Sequence, residues 1–198
     1  MFEKLERFIG ELADSTRFQN VICTRGKPAD KLAIGKLESL FQKLEVKLPP
    51  SMRDFYACYD GFTLAWEYTK LTHPDYITSG SIRITELAML MTNLEYASDD
   101  LIPFDRVSDI NQVVLRLNQG RVTLRYLDAR SRTSVPLKLE MENYFHWLDE
   151  TRGLSPWQEF FLASKTSRMK PVLREKFLRD LKLLFGDVDP TLFSSNIT

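Results

Sequence analysis

The sequence predicts an α+β fold: a central, largely antiparallel sheet with helices packed on it, plus a C-terminal helical extension. Three observations predict it. Apolar residues recur at helical spacing in blocks toward both ends of the chain, strand-like alternation fills much of the middle, and Asn118-Gln119-Gly120 separates two alternating runs as a hairpin loop would. Helices and strands that come in blocks favour antiparallel pairing over strict βαβ crossovers.

Phe2, Leu5, Phe8, Ile9 and Leu12 form one apolar stripe and predict a short first helix. Val21-Ile22-Cys23, set among polar residues, reads as a short strand or a buried connection. Asp30 is a suitable N-cap, because its carboxylate can accept from free first-turn amides. The helix it starts runs to about Leu44, with Ile34, Leu37, Phe41 and Leu44 inward. Leu48-Pro49-Pro50-Ser51 ends that segment and opens the next, since proline suits a first helical turn but not an interior. Met52, Phe55, Tyr56 and Tyr59 form the next stripe, and Gly61 supplies a left-handed terminator.

Phe62, Leu64, Trp66 and Tyr68 alternate with Thr63, Ala65 and Glu67, which predicts a strand with an aromatic core face. Thr69 to Gly80, rich in turn formers, is expected to be an exposed loop. Ile82 and Ile84 predict a short strand, and Leu87, Leu90, Met91 and Leu94 a short helix capped by Thr85. Leu101-Ile102-Pro103-Phe104 is extended, its proline marking an edge or a strand end. Gln112 to Leu117 and Arg121 to Leu127 flank the hairpin loop, and Val135 to Leu139 adds one more strand.

Tyr144, Phe145 and Leu148 mark a helix ending near Gly153. An aromatic segment, Pro156 to Leu162, follows, and then a helix from about Pro171 to Phe185 with Leu173, Phe177, Leu181, Leu184 and Phe185 as its stripe and Gly186 as its stop. The expected organisation is one α+β domain over residues 1–153, with residues 154–198 as a helical extension packed on it.

With 198 residues, 43% apolar and 27% charged, the chain has the composition of an ordinary globular protein of one domain. Lysine plus arginine and aspartate plus glutamate both number 27, so overall charge gives no reason to expect nucleic acid or an anionic membrane as partner. The N-terminus is charged from its third residue and lacks the apolar run of a signal peptide, and no window approaches the ~18 apolar residues of a spanning helix. A cytoplasmic location without membrane contact is expected. Cys23 and Cys58 sit in apolar stretches where a free thiol behaves as a small hydrophobe. A single disulfide stays open, but two cysteines build no framework.

His73 and His146 are the only histidines, and no Cys-x-x-Cys or His-Glu-x-x-His is present, so no metal and no cofactor are expected. His146, Asp149 and Glu150 fall at helical spacings and could share a face as ligands or as an acid–base set, although a solvated helix face is the simpler use. His73-Pro74-Asp75 reads as a polar turn. Without a Gly-x-Ser-x-Gly elbow, a phosphate loop or a dinucleotide fingerprint, no residue is assigned as catalytic and an enzyme is not expected.

Local charge says more. From Glu86 to Asp109 six carboxylates face Arg106 alone, whereas Arg116 to Lys138 carries six bases against Asp128, and Lys165 to Lys182 seven bases against Glu175 and Asp180. Each run is ordinarily a solvated face; an acidic run can also dock a basic protein.

Pro28 to Gly61 carries the most specific pattern: a helix with Ile34, Leu37, Glu38 and Leu44, then Leu48-Pro49, Met52-Arg53-Asp54-Phe55 and Asp60-Gly61. It resembles the opening of the SUKH superfamily, which includes the fungal Smi/Knr cell-wall-synthesis regulators and many bacterial toxin-immunity proteins. Ile102-Pro103-Phe104, the Arg121 to Leu127 hairpin strand and a closing helix with Tyr144-Phe145 and Trp147-Leu148 follow in the order of that family. The resemblance covers about Pro28 to Gly153; Asp60-Gly61 stands where members commonly have Asn-Gly, and the glycines many carry after the Pro-Phe strand are missing from Phe104 to Val107. The first helix and everything after Gly153 lie outside it.

The resemblance implies a protein-binding role with no catalytic constellation. The chain would be an immunity protein neutralising a partner toxin, or a regulatory scaffold like the fungal members. Glu38 reads as the partner of a base such as Arg53 more readily than as a ligand-binding acid. The expected contact residues are Glu67, Tyr68, Asp75 and Tyr76 around the predicted loop and Glu95, Asp99, Asp100 and Asp105 of the acidic run. A basic toxin such as a nuclease is the protein partner these would suit, with no direct nucleic-acid contact.

Overall fold

A computed structural model describes residues 2–70, 73–96, 101–118, 120–163 and 169–193. The elements run α1 (Glu3–Asp14), β1 (Phe18–Arg25), α2 (Lys31–Lys43), α3 (Pro50–Cys58), β2 (Phe62–Lys70), β3 (His73–Ile84), α4 (Leu87–Tyr96), β4 (Leu101–Asp105), β5 (Asn111–Asn118), β6 (Arg121–Asp128), β7 (Thr133–Pro136), α5 (Met141–Thr151) and α6 (Pro171–Leu184). The fold is α+β, as predicted. Its seven strands form one sheet in sequence order, and every neighbouring pair is antiparallel.

Of the segment expected to loop out, Thr69 to Gly80, the described residues extend the sheet instead, Thr69 pairing with Ile77 and Glu67 with Ser79; residues 71–72 lie outside the described residues. Thr78 and Ser79 point to opposite faces of a hairpin whose strand pairing outweighs their turn preference. Thr78 faces inward opposite Tyr68 and is buried. The strand predicted at Val135 to Leu139 lies slightly earlier, at Thr133–Pro136.

β3 and β4 meet only at Ile84 and Asp105, so the sheet splays between them. The chain leaving α5 fills the gap: the Ser81 N–H donates to the Gly153 carbonyl at 2.8 Å and the Ser155 N–H to the Ser79 carbonyl at 3.0 Å. At the far side, the Lys138 N–H donates to the Phe161 carbonyl and the Ala163 N–H to the Pro136 carbonyl, which covers the outer edge of β7. The edge of β1 has no such cover among the described residues.

Why one sheet face carries the helices follows from the strand alternation. Phe62, Leu64, Trp66 and Tyr68 of β2 and Ile82 and Ile84 of β3 turn inward and are buried, and β4 to β6 add Ile102, Phe104, Val113, Leu115, Leu124 and Tyr126. Gly80 stands opposite Trp66, and a Cβ there would lie 2.3 Å from the indole, so this position holds glycine because the ring occupies its side-chain space. The indole N–H donates to the Arg152 carbonyl at 3.0 Å. α5 closes the core. Its Phe145 stacks on Phe55 of α3 at 5.1 Å, Tyr144 meets Trp157 at 5.0 Å, and Trp147 meets Phe193 at 4.5 Å.

The helix starts show which sequence signals hold. Asp30 caps α2 as expected, accepting from the Ala33 N–H at 2.7 Å, and Pro50 opens α3. Thr85 does not cap α4. Its hydroxyl turns to the Pro103 carbonyl, and the Leu87 N–H donates instead to Asp60 Oδ1 at 2.7 Å. Two other expectations are corrected: Leu44 ends α2 exposed rather than inward, and Cys23 and Cys58 are exposed free thiols rather than small core residues. Val21-Ile22-Cys23 is a strand, not a buried connection: it belongs to the edge strand, where only one flank finds cover.

Candidate partner-binding surface

Among the described residues, those expected to form the contact surface do not converge. Tyr68 is buried against Phe18. Asp105 is 1% exposed, with Oδ1 accepting from the Arg83 N–H at 2.9 Å and Oδ2 from the Tyr144 hydroxyl at 2.5 Å. Both are corrections. Tyr68 belongs to the inward register of β2, and a bulge beside Phe104 turns Asp105 inward as well. Burial raises the Asp105 pKa above its ordinary 3.8, against the lowering pull of the Tyr144 and Arg83 bonds and of the Arg83 charge.

Glu67 lies on the sheet face away from the helices and accepts from Asn20 Nδ2 at 2.6 Å. Asn20 sits at the β1 bulge with φ of 52°, in a left-handed conformation that asparagine tolerates. Tyr76, half-buried, bonds Asp180 and Arg179 of α6, with the Lys176 ammonium 4.7 Å from its ring centre. Its contacts are therefore internal. Asp99, Asp100 and the Asp75 side chain lie outside the described residues. Asp109 pairs with Arg83 and Arg106, so the acidic run makes no single acidic face among the described residues.

Other weighed side chains have structural partners. Glu38 Oε1 accepts from Arg53 Nε at 2.8 Å. Asp149 accepts from the Leu5 N–H at 2.8 Å and so caps the otherwise uncapped start of α1 from outside, while Glu150 pairs with Lys4 at 2.7 Å. His146 lies against Trp147. Among the described residues, no three His, Cys, Asp or Glu side chains converge as metal ligands, and no helix is long and apolar enough to cross a membrane.

Of the predicted contacts, Glu95 leads to a surface. It lines a groove of about 560 Å³ between α2 and α4, with Lys31, Leu32, Gly35, Lys36, Ser39, Leu40 and Lys43 on one side and Ala88, Met91 and Thr92 on the other. Each helix turns one side to it: Leu32, Lys36, Ser39 and Lys43 recur at spacings of three and four, as do Ala88, Met91, Thr92 and Glu95. Both helices bury other stripes, Ile34, Leu37 and Phe41 in α2 and Leu87, Leu90 and Leu94 in α4. Leu32 is thus on the outer side of α2, 69% exposed, whereas Met89, 57% exposed on α4, lies outside the groove lining. Leu32, with Leu40 and Met91 beside it in the lining, gives the groove an apolar floor between its lysines.

Sequence reasoning missed all of this groove except Glu95. Leu32 was the legible signal, because it falls roughly opposite Ile34 on a helical wheel, as was Gly35 in a helix interior. Compared with protein-family models, curated proteins and solved structures, the chain shows no significant match.

Proposed function

We propose that this chain is a non-enzymatic protein-binding module of the cytoplasm, most specifically an immunity protein that covers the active surface of a partner toxin. The observation that carries the binding role is the α2–α4 groove, where Leu32 stands exposed on the α2 side and Met91 lines the α4 side. The SUKH-like pattern of Pro28 to Gly61 supports the immunity form. A groove rimmed mainly by lysines would meet acidic ground on the toxin, so charge complementarity favours an acidic patch of that partner rather than a basic one.

The regulatory scaffold is a second reading, favoured by a second separate surface. The β1 edge presents Val21 and Ile22 to solvent and, beside them, a strand edge unpaired among the described residues. Affinity purification of the tagged chain from its native cell distinguishes the two. One tight partner, whose toxicity is relieved on co-expression, fits immunity; several abundant cellular enzymes at modest affinity fit a scaffold. If neither a complex nor protection is found, the binding role fails.

A further inference from the structure

We infer that the α2–α4 groove is the seat of an acidic amphipathic helix presented by the partner protein, an inference that rests on the protein-binding reading and adds the chemistry of what binds. Its shape comes first. Two helices that turn i, i+3, i+4 and i+7 faces toward one trough leave a space that a third helix fills by ridge-into-groove packing. The 13 residues of α2 make a wall about 20 Å long, which matches three to four turns of a docked helix.

Gly35 lines the groove and adds to its shape. A glycine inside a helix costs roughly 0.5–1 kcal/mol relative to alanine. A Cβ at Gly35 would meet nothing within 4 Å, as at Gly10 in α1, so the glycine by itself names no partner. What it supplies is bare backbone on the groove wall, over which a docked helix can approach closely.

Charge decides which helix. Lys31, Lys36 and Lys43 stand along the α2 side and Glu95 is the sole carboxylate lining the groove. None of the three lysine side chains makes a hydrogen bond or an ion pair among the described residues. Glutamates flanking the apolar stripe of a docked helix would neutralise them, while a basic helix would be repelled at the same positions.

The test uses the full chain against a display library of amphipathic helical peptides about four turns long, with a fixed Leu/Ala stripe and every flanking position varied between Glu and Lys. Enrichment of Glu-rich members, with binding weakened by added salt, supports the inference. So does a loss of about tenfold or more in affinity for the selected peptide in Gly35→Leu and in the Lys36→Glu/Lys43→Glu pair. Circular dichroism and melting establish that these exposed-face variants fold, and Gly35→Ala should melt higher than the native chain because only helix propensity changes in the unbound protein. Selection of Lys-rich or charge-neutral members, no enrichment, or binding indifferent to the variants overturns it, as does a lower melting temperature for Gly35→Ala or protection of the groove by a second copy of this chain. A native partner that Gly35→Leu still captures would sink this inference and leave the protein-binding reading standing, whereas absence of any native partner would sink that reading first.

Discussion

At the scale of single residues, the buried acid Asp105 sets the clearest expectation. Its carboxylate is enclosed by β3, β4 and α5, with the Tyr144 hydroxyl and the Arg83 amide as hydrogen-bond donors. Burial outweighs both and raises its pKa, so the folded protein keeps the proton at pH values where the unfolded chain has released it. Since folded protein then binds more protons than unfolded, stability must fall as pH rises. The penalty is absent below the unfolded value near 3.8, grows as pH climbs through the folded pKa, and is constant above it. Asp105→Asn keeps the shape and removes the titration. Urea unfolding across the acidic range should show the variant gaining on the native chain as pH increases; two curves that run parallel would mean that Asp105 is not held in this way.

Secondary-structure elements are held to one another by a few buried polar latches, and the one under α6 is the most exacting. Asp180 is buried on α6 and accepts from Thr78 Oγ1 at 2.6 Å, from Lys176 Nζ at 2.7 Å and from the Tyr76 hydroxyl. Asp180→Ala would take the shared acceptor from three donors, one of them charged and left with Thr78 Oγ1 alone. The expected loss is about 3 kcal/mol, the low end for a broken buried pair, because Lys176 stays partly solvated. Replacing Asp180 and Lys176 together by Leu and Met should recover part of it, since no charge is then left without its partner. A cost below about 0.5 kcal/mol for Asp180→Ala in urea unfolding would show that the latch carries no weight.

This latch also marks where the sequence stops being legible. Helix stripes and the aromatic alternation of β2 were readable because each is a local pattern with its own period. The strand character of residues 73–80 was not, because Thr78 and Ser79 take their conformation from β2 across the hairpin. Asp60 capping α4 and Asp149 capping α1 were equally hidden, as those partners are 27 and 144 positions apart. The same blindness affected the candidate surface. A run of acids counts charges in order, but Asp105 points inward and Asp109 meets two arginines, while the lysines of the groove are spread over three helical turns and look like an ordinary solvated face.

At the scale of the whole molecule, the segments outside the SUKH-like pattern are built into the core. Phe8 of α1 meets Trp66 of β2 at 5.5 Å and Phe185, just past α6, at 5.1 Å, and Phe185 meets Trp66 at 5.9 Å. Trp157 and Phe193 close the other side against Tyr144 and Trp147. The Arg152 guanidinium, 3% exposed, lies 4.5 Å from the Phe185 ring centre and is bound by Asp187. A chain cut after Gly153 would leave Trp66, Tyr144 and Trp147 open to water and Arg152 buried without its carboxylate. Each aromatic uncovered forfeits on the order of 2–3 kcal/mol of burial, against a total stability of roughly 5–15 kcal/mol for a domain of this kind. The truncated chain should therefore lack a cooperative melt, bind a hydrophobic dye and exchange its amides rapidly, whereas the full chain should unfold in one transition seen alike by tryptophan fluorescence and far-ultraviolet dichroism. If residues 1–153 instead melt cooperatively at a temperature close to that of the full chain, the segment after Gly153 is an attachment, and the core drawn through Phe185 and Phe193 does not hold the fold together.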